Sequence, residues 1–161
     1  MVKAIVMGAG GKMGGRIASI INVTDGIEIA AAVEKAGHPQ VGQDVGEILG
    51  LGKKGVPIVA GLEAAIGKGD VVIDFTHHEA SVEHLRIAAE NKKAIVIGTT
   101  GFTADEMAKI KELAAKTRCV LAPNMSVGVN VMFKVLDYVA GILGNDFDVE
   151  IVEAHHNLKK D

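Results

Sequence analysis

The sequence is short of several things, and each absence narrows the choice. It has one cysteine, Cys119, in 161 residues, which agrees with a reducing compartment. Cys119 opens the apolar run to Ala122, so it reads as a buried strand thiol rather than a nucleophile. A net charge of −3 with no basic stripe argues against a nucleic-acid partner. No Cys, His or carboxylate set has zinc-site spacing, so no metal is expected. The longest apolar stretches are strand-sized and broken by Gly, Lys or Glu, and residues 1–14 lack the apolar core of a signal peptide. A soluble, cytoplasmic protein without a membrane role is the expectation. No internal repeat or low-complexity tract is apparent. What the chain does have is 48% hydrophobic residues and 20 glycines, enough for one domain, or one domain and the beginning of another.

The glycines matter most near the start. An apolar run, Lys3 to Met7, ends in Gly8-Ala-Gly-Gly-Lys-Met-Gly14, and helical spacing resumes at Met13, Ile17, Ile20 and Ile21. This is a strand feeding a helix through a turn without side chains, where a phosphate can approach main-chain N–H groups at a helix start. A strict G-x-G-x-x-G would put its third glycine at Met13, so the pattern is better read as Gly8, Gly11 and Gly14, with Gly10 extra. The second mark is Glu34 at the end of an apolar run from Ile27 to Val33, the place of the acid that bonds an adenosine ribose. Lys35 beside it is either a partner for a 2′-phosphate or one more solvated lysine.

After a Gly-rich, polar stretch from Lys35 to Gly55 with one short apolar patch, strand and helix alternate. Strands are predicted at 56–60, 70–75, 94–97 and 119–122, with helices at 62–66, 79–90 and from a capping box at Thr103 and Glu106. The helix over 79–90 places Val82, Leu85, Ala88 and Ala89 on one face, and the next turns Met107, Ile110 and Leu113 inward. Buried strands alternating with amphipathic helices predict an α/β fold, a Rossmann-type parallel sheet with helices on both faces. Ligands bind at the carboxyl ends of such strands. Those ends carry Thr76, Gly98, Thr99, Thr100 and the segment Ala122, Pro123, Asn124, Met125. His77 and His78 read as a solvated loop.

Ser126 is placed to cap a long helix whose Val129, Phe133, Leu136, Val139 and Leu143 read as core, ended by Gly144 and Asn145. A half-exposed strand is predicted over 147–154 from its alternation of apolar and acidic residues. It leads into His155, His156 and Lys159, which can donate protons and attract carboxylates if they face one pocket. Domains are expected at 1–125 and 126–161, the second beginning a mixed α+β domain.

Taken in order, Gly8-Ala-Gly-Gly-Lys-Met-Gly14, Asp74-Phe-Thr76, Gly98-Thr-Thr-Gly101, Asn124-Met-Ser-Val-Gly-Val-Asn130 and Glu153-Ala-His-His-Asn-Leu-Lys159 resemble the 4-hydroxy-tetrahydrodipicolinate (dihydrodipicolinate) reductase family. The resemblance implies a Rossmann domain for NADH or NADPH and a second domain that binds a cyclic dicarboxylate and builds a homotetramer, in lysine and diaminopimelate biosynthesis. It implies that Gly8, Ala9, Gly10, Gly11, Lys12 and Met13 hold the pyrophosphate, Glu34 the adenosine ribose and Lys35 the extra phosphate of NADPH. Thr76 joins the cofactor site, and Gly98 to Thr100 with Ala122 to Met125 line the nicotinamide side. His155 and Lys159 become the proton donors and His156 a substrate ligand. Two departures stand out. His78 replaces a frequent proline, and the sequence stops at Asp161 where the family continues, so about the first 60% of a two-domain enzyme is present. A dinucleotide-binding module without catalysis, or another Rossmann oxidoreductase such as an amino-acid dehydrogenase, are the other readings.

Overall fold

The computed structural model of the chain describes residues 1–154. The chain divides into two compact units, Met1–Pro123 and Asn124–Asp161. The first unit is a six-stranded sheet formed by β1 (Val2–Met7), β2 (Ile27–Glu34), β3 (Ile58–Ala60), β4 (Val71–Asp74), β5 (Ala94–Ile97) and β6 (Cys119–Leu121). The order is β3-β2-β1-β4-β5-β6, and every pairing is parallel. Four helices accompany it: α1 (Lys12–Asn22), α2 (Val45–Ile48), α3 (His78–Glu90) and α4 (Ala104–Ala114).

Alternation along β1 explains the layering. Ile5 and Met7 enter one core, with Val72, Leu85, Ile95 and Ile110. Ala4 and Val6 enter the opposite core, with Ile21, Val45 and Ile58. A strand whose successive side chains are all buried requires cover on both faces, which is why these runs are apolar without a polar face. Cutting Ile5 or Ile95 back to alanine in such packing costs about 2–5 kcal/mol.

Helix α1 meets the sheet by its smallest residues, Gly14, Gly15 and Ala18, with Ile21. A Cβ on Gly14 would lie 2.0 Å from the Gly8 carbonyl oxygen. Met13 and Ile20, read above as part of the apolar face, are instead about half exposed (49% and 48%), because the face that meets the sheet is the one carrying Gly14, Gly15, Ala18 and Ile21. Helix α4 carries the expected capping box, with Thr103 Oγ1 accepting from the Glu106 N–H and Glu106 Oε2 from the Thr103 N–H. Ile110 is buried, and Met107 and Leu113 pack against the same core. Residues 62–68 form two 3₁₀ turns, Leu62–Ala64 and Ile66–Lys68, in place of one short helix.

Between β2 and β3 the polar stretch is organised by one carboxylate. Asp44 caps α2 and also accepts the N–H groups of Lys54 and Val56. The Lys54 bond acts first to hold its carboxyl below the ordinary value, against a cost of desolvation.

The second unit contains α5 (Val127–Leu143), capped by Ser126 as expected. No residue of α5 is buried; Phe133 is 50% and Leu136 53% exposed. The expectation that its apolar residues form a core is therefore not met within the described residues, since a helix face is buried only where a second layer exists to cover it. The helical stretch Val127–Asp146, α5 with the short turn that follows it, contains an 18-residue window of mean hydropathy 1.5, long and apolar enough to cross a membrane by length and composition, although Lys134 and Asp137 interrupt it. Residues 147–154 form no strand, and Ile151 and Val152 are 86% and 92% exposed. Alternation alone does not make a strand, which exists only against a partner backbone.

Candidate functional site

The reversal of strand order lies between β1 and β4, and the residues that leave those two strands face each other there. Gly8 takes φ +60, and a Cβ on it would come within 3.1 Å of Thr76 Cγ2. The turn closes with the Gly11 N–H donating to the Gly8 carbonyl, and Gly11 begins α1 without any side-chain cap. Helix N–H groups at that end are left for a ligand, and the helix dipole favours an anion. A Cβ on Gly11 meets only the Gly8 carbonyl oxygen, at 3.2 Å, so the absence of a side chain there keeps the approach open.

Glu34 ends β2 beside this turn. Its carboxylate accepts the Gly10 N–H at 3.0 Å and the Lys35 N–H at 3.2 Å. The loop after β2 also touches the turn: Gln40 Oε1 is buried without a hydrogen-bond partner, and a Cβ on Gly10 would fall on it. A cavity of about 230 Å³ opens at these strand ends, lined among others by Gly8, Glu34, Lys35, Thr76, His77 and His84. Its mostly apolar floor with a few polar groups at the edge suits a flat heterocycle joined to a sugar.

Behind the cavity lies a buried acid. Asp74, fully buried at the end of β4, accepts the Thr76 N–H at 2.9 Å and the Thr76 hydroxyl at 2.6 Å on Oδ1. Its Oδ2 lies 2.7 Å from His84 Nδ1. Burial pushes the Asp74 carboxyl up, but the bonds from His84 and Thr76 outweigh it and leave the value below the ordinary one. The Thr76 hydroxyl is thus held in place by a carboxylate, and His84 is held by the same group.

The other expected residues divide by what they touch. Thr99 is buried, its hydroxyl bonded to Ser81 Oγ at 2.7 Å, so only its backbone is free for a ligand. Gly98 lacks a side chain because the Phe75 ring occupies that space, 2.0 Å from where a Cβ would stand. Thr100 is exposed in the same loop. Ala122 continues the β6 pairing through its N–H to the Ile97 carbonyl, and Pro123 ends the first unit. Asn124 and Met125 belong to the second unit, where Asn124 Oδ1 accepts the Ser126 N–H. His155, His156 and Lys159 lie outside the described residues.

Two histidines depart from the sequence reading. His78 is no solvated loop residue: it heads α3, its side chain is 25% exposed, and its Nδ1 lies 2.8 Å from Glu106 Oε1. His77, 69% exposed, stays at the rim of the cavity. His84 was missed altogether. The signal available was helical spacing, since Ser81, Leu85 and Ala88 of α3 are buried and a histidine between them has to find a buried partner.

A doubly wound parallel sheet with a glycine turn after β1 and an acid at the tip of β2 defines a Rossmann-type dinucleotide-binding protein. Residues 2–125 match the family described as dihydrodipicolinate reductase, N-terminus, and residues 128–161 the one described as dihydrodipicolinate reductase, C-terminus. The chain belongs to the dihydrodipicolinate reductase family. It is 58% identical over all 161 residues to 4-hydroxy-tetrahydrodipicolinate reductase of Syntrophus aciditrophicus (strain SB) and 57% identical to that of Geotalea uraniireducens (strain Rf4). It spans 60% of the length of each. Among solved structures it resembles the dipicolinate-bound dihydrodipicolinate reductase from Paenisporosarcina sp. TG-14, with TM-score 0.69 and 28% identity over 87% of this chain and 54% of that one. A putative myo-inositol dehydrogenase from Sinorhizobium meliloti 1021 shares the fold, with TM-score 0.64 at 16% identity over 89% of this chain and 43% of that one.

Proposed function

We propose that the chain provides the cofactor domain and the proton-donating motif of an NAD(P)H-dependent reductase. The enzyme reduces 4-hydroxy-tetrahydrodipicolinate to tetrahydrodipicolinate in diaminopimelate and lysine biosynthesis. The observation that carries this reading is the match to named reductases along the whole chain. In this reading residues 1–125 bind the dinucleotide, and residues 126–161 begin a substrate-binding and tetramer-forming domain. The enzyme works in the cytoplasm as a homotetramer on a cyclic dicarboxylate, without nucleic acid, membrane or metal.

The turn from Gly8 to Met13 holds the pyrophosphate, Glu34 the adenosine ribose and Lys35 the 2′-phosphate when the cofactor is NADPH. Gly98, Thr100 and the backbone of Thr99, with Ala122 to Met125, line the nicotinamide side, and Thr76 joins the cofactor site beside Glu34 and Lys35. The 4-hydroxyl leaves with a neighbouring C–H proton as water, giving a conjugated imine, and to that the bound cofactor would supply a hydride. His155 and Lys159 then protonate the electron density left behind, and His156 holds a carboxylate of the substrate. A dianionic substrate beside these cations stabilises their protonated forms. Helix α5, with Lys134 and Asp137 in its middle, belongs to the second domain rather than to a membrane.

The test is a titration of the chain with NADH and NADPH by fluorescence, beside an assay of the protein extended to the length of its relatives. Saturable binding by the chain and turnover by the longer protein are expected. Binding of neither dinucleotide, or turnover of a different imine or ketone in preference, overturns the reading.

A further inference from the structure

His84 sits where no sequence motif would place a ligand-binding residue, yet its surroundings give it a defined chemical role. It lines the cavity that also holds Gly8, Glu34, Lys35 and Thr76, and its side chain is 16% exposed. Its Nδ1 lies 2.7 Å from Oδ2 of Asp74, an acid with no exposed surface. An ionised carboxylate only accepts hydrogen bonds, so the proton between the two must sit on Nδ1. In the neutral ring the other nitrogen, Nε2, then carries a lone pair and no proton. Among the described residues no hydrogen bond reaches Nε2.

Building on the dinucleotide reading, we propose that His84 is a specificity residue for the adenosine half of the cofactor, presenting Nε2 as a fixed hydrogen-bond acceptor to a donor on that half. Two donors have this chemistry, the exocyclic amine of adenine and a hydroxyl of its ribose. Asp74 is the positioning residue that makes the recognition directional. Without it the imidazole could present either tautomer, and an acceptor and a donor would be equally available to the ligand.

The geometry around Asp74 supplies an isosteric switch. Both bonds from Thr76 fall on Oδ1, while His84 alone uses Oδ2. In Asp74→Asn the amide oxygen can keep both Thr76 bonds, and the amide nitrogen replaces Oδ2. That nitrogen donates, so Nδ1 must accept and the proton moves to Nε2. The same ring in the same place now offers a donor to the cavity.

The experiment measures dissociation constants of the full chain. The ligands are NADH, the dinucleotide with hypoxanthine in place of adenine, and the dinucleotide with 3′-deoxyadenosine. The wild type is expected to bind one of the two analogues about ten-fold more weakly than NADH, and which one identifies the donor. His84→Phe, which fills the space without a lone pair, should bring that ratio close to one. Asp74→Asn should abolish or reverse it. Nitrogen-15 shifts of the His84 ring give a second readout, with the Nδ1–H form in the wild type and the Nε2–H form in Asp74→Asn. If the wild type binds NADH but His84→Phe leaves both ratios unchanged, the proposal falls while the dinucleotide reading stands. A wild-type ring in the Nε2–H form overturns it equally. If no dinucleotide binds the wild type, both readings fall together.

Discussion

The Gly10 amide donates to the Glu34 carboxylate at 3.0 Å, which joins the glycine turn and the acid at the tip of β2 into one hydrogen-bonded unit. The two are 24 residues apart in sequence. Each has its own proposed contact with a dinucleotide, pyrophosphate for the turn and ribose for the acid, and each also orients the other. Glu34→Ala should therefore cost more than one ribose hydrogen bond. Loss of NADH affinity by about 10- to 100-fold is expected by titration, since hydrogen bonds to charged groups are worth about 1.5–3 kcal/mol. Affinity equal to that of the wild type would place Glu34 outside the site.

Gly11 and Gly14 should separate binding from folding. A Cβ on Gly14 overlaps the Gly8 carbonyl at 2.0 Å, whereas one on Gly11 meets it at 3.2 Å. Gly14→Ala is expected to destabilise by about 1–3 kcal/mol through overpacking, with a lowered Tm by calorimetry. Gly11→Val should retain the far-ultraviolet circular dichroism of the wild type and lose dinucleotide binding. Matching titration curves for Gly11→Val and wild type would remove the turn from the phosphate site.

Lys35 follows Glu34 and lines the same cavity. If its ammonium meets a 2′-phosphate, Lys35→Ala weakens NADPH by about ten-fold relative to NADH, the size of one charge-assisted contact. The ratio of the two dissociation constants is the measurement, and a constant ratio would leave Lys35 in solvent.

Acid should loosen the contact between α3 and α4. The Thr103 N–H and then His78 hold the Glu106 carboxyl below its ordinary value of 4.5. A carboxylate with a depressed folded value adds stability above its unfolded value, and the contribution is lost as pH falls through the folded value. The Tm difference between wild type and Glu106→Gln should therefore be constant at neutral pH and shrink on acidification below 4.5. A difference that does not change with pH would mean that the carboxylate charge contributes nothing to the contact.

For the proposed catalytic motif the expected result is kinetic. In the protein extended to the length of its relatives, His155→Gln and Lys159→Ala should each lower kcat by roughly 10²–10⁴-fold, as for a lost general acid, with NADH affinity kept. His156→Gln should act mainly on substrate KM. The 161-residue chain should bind cofactor and turn over negligibly. Near-normal turnover by the His155 and Lys159 variants would reassign the protonation steps.

What could be read from the sequence was local. The turn from Gly8, the run from Ile27 into Glu34, the capping box of Thr103 and the strand from Ala94 each announce themselves within about ten residues. Contacts between distant residues were not legible in that way. His78 meets Glu106 across 28 positions, and nothing in either neighbourhood states that α3 and α4 begin side by side. His84 finds Asp74 only because helix and strand end are packed together. The errors have the same origin. Residues 147–154 have the alternation of a strand, and the apolar residues of α5 the spacing of a core helix, but pairing and burial are supplied by other parts of a molecule.

The strand order has a consequence for synthesis. Of the six strands, β1 is synthesised before the others and occupies the middle of the sheet with β2 and β4 on either side, and later strands are added outward in sequence order. The chain must reach Val71–Asp74 before β1 gains its second neighbour and the Gly8 turn meets Thr76. Until then a half-sheet of β1, β2 and β3 offers a bare apolar edge, the condition in which nascent chains are most exposed to misassociation. A pause in translation shortly before β4 would prolong that state, and one after β4 would not.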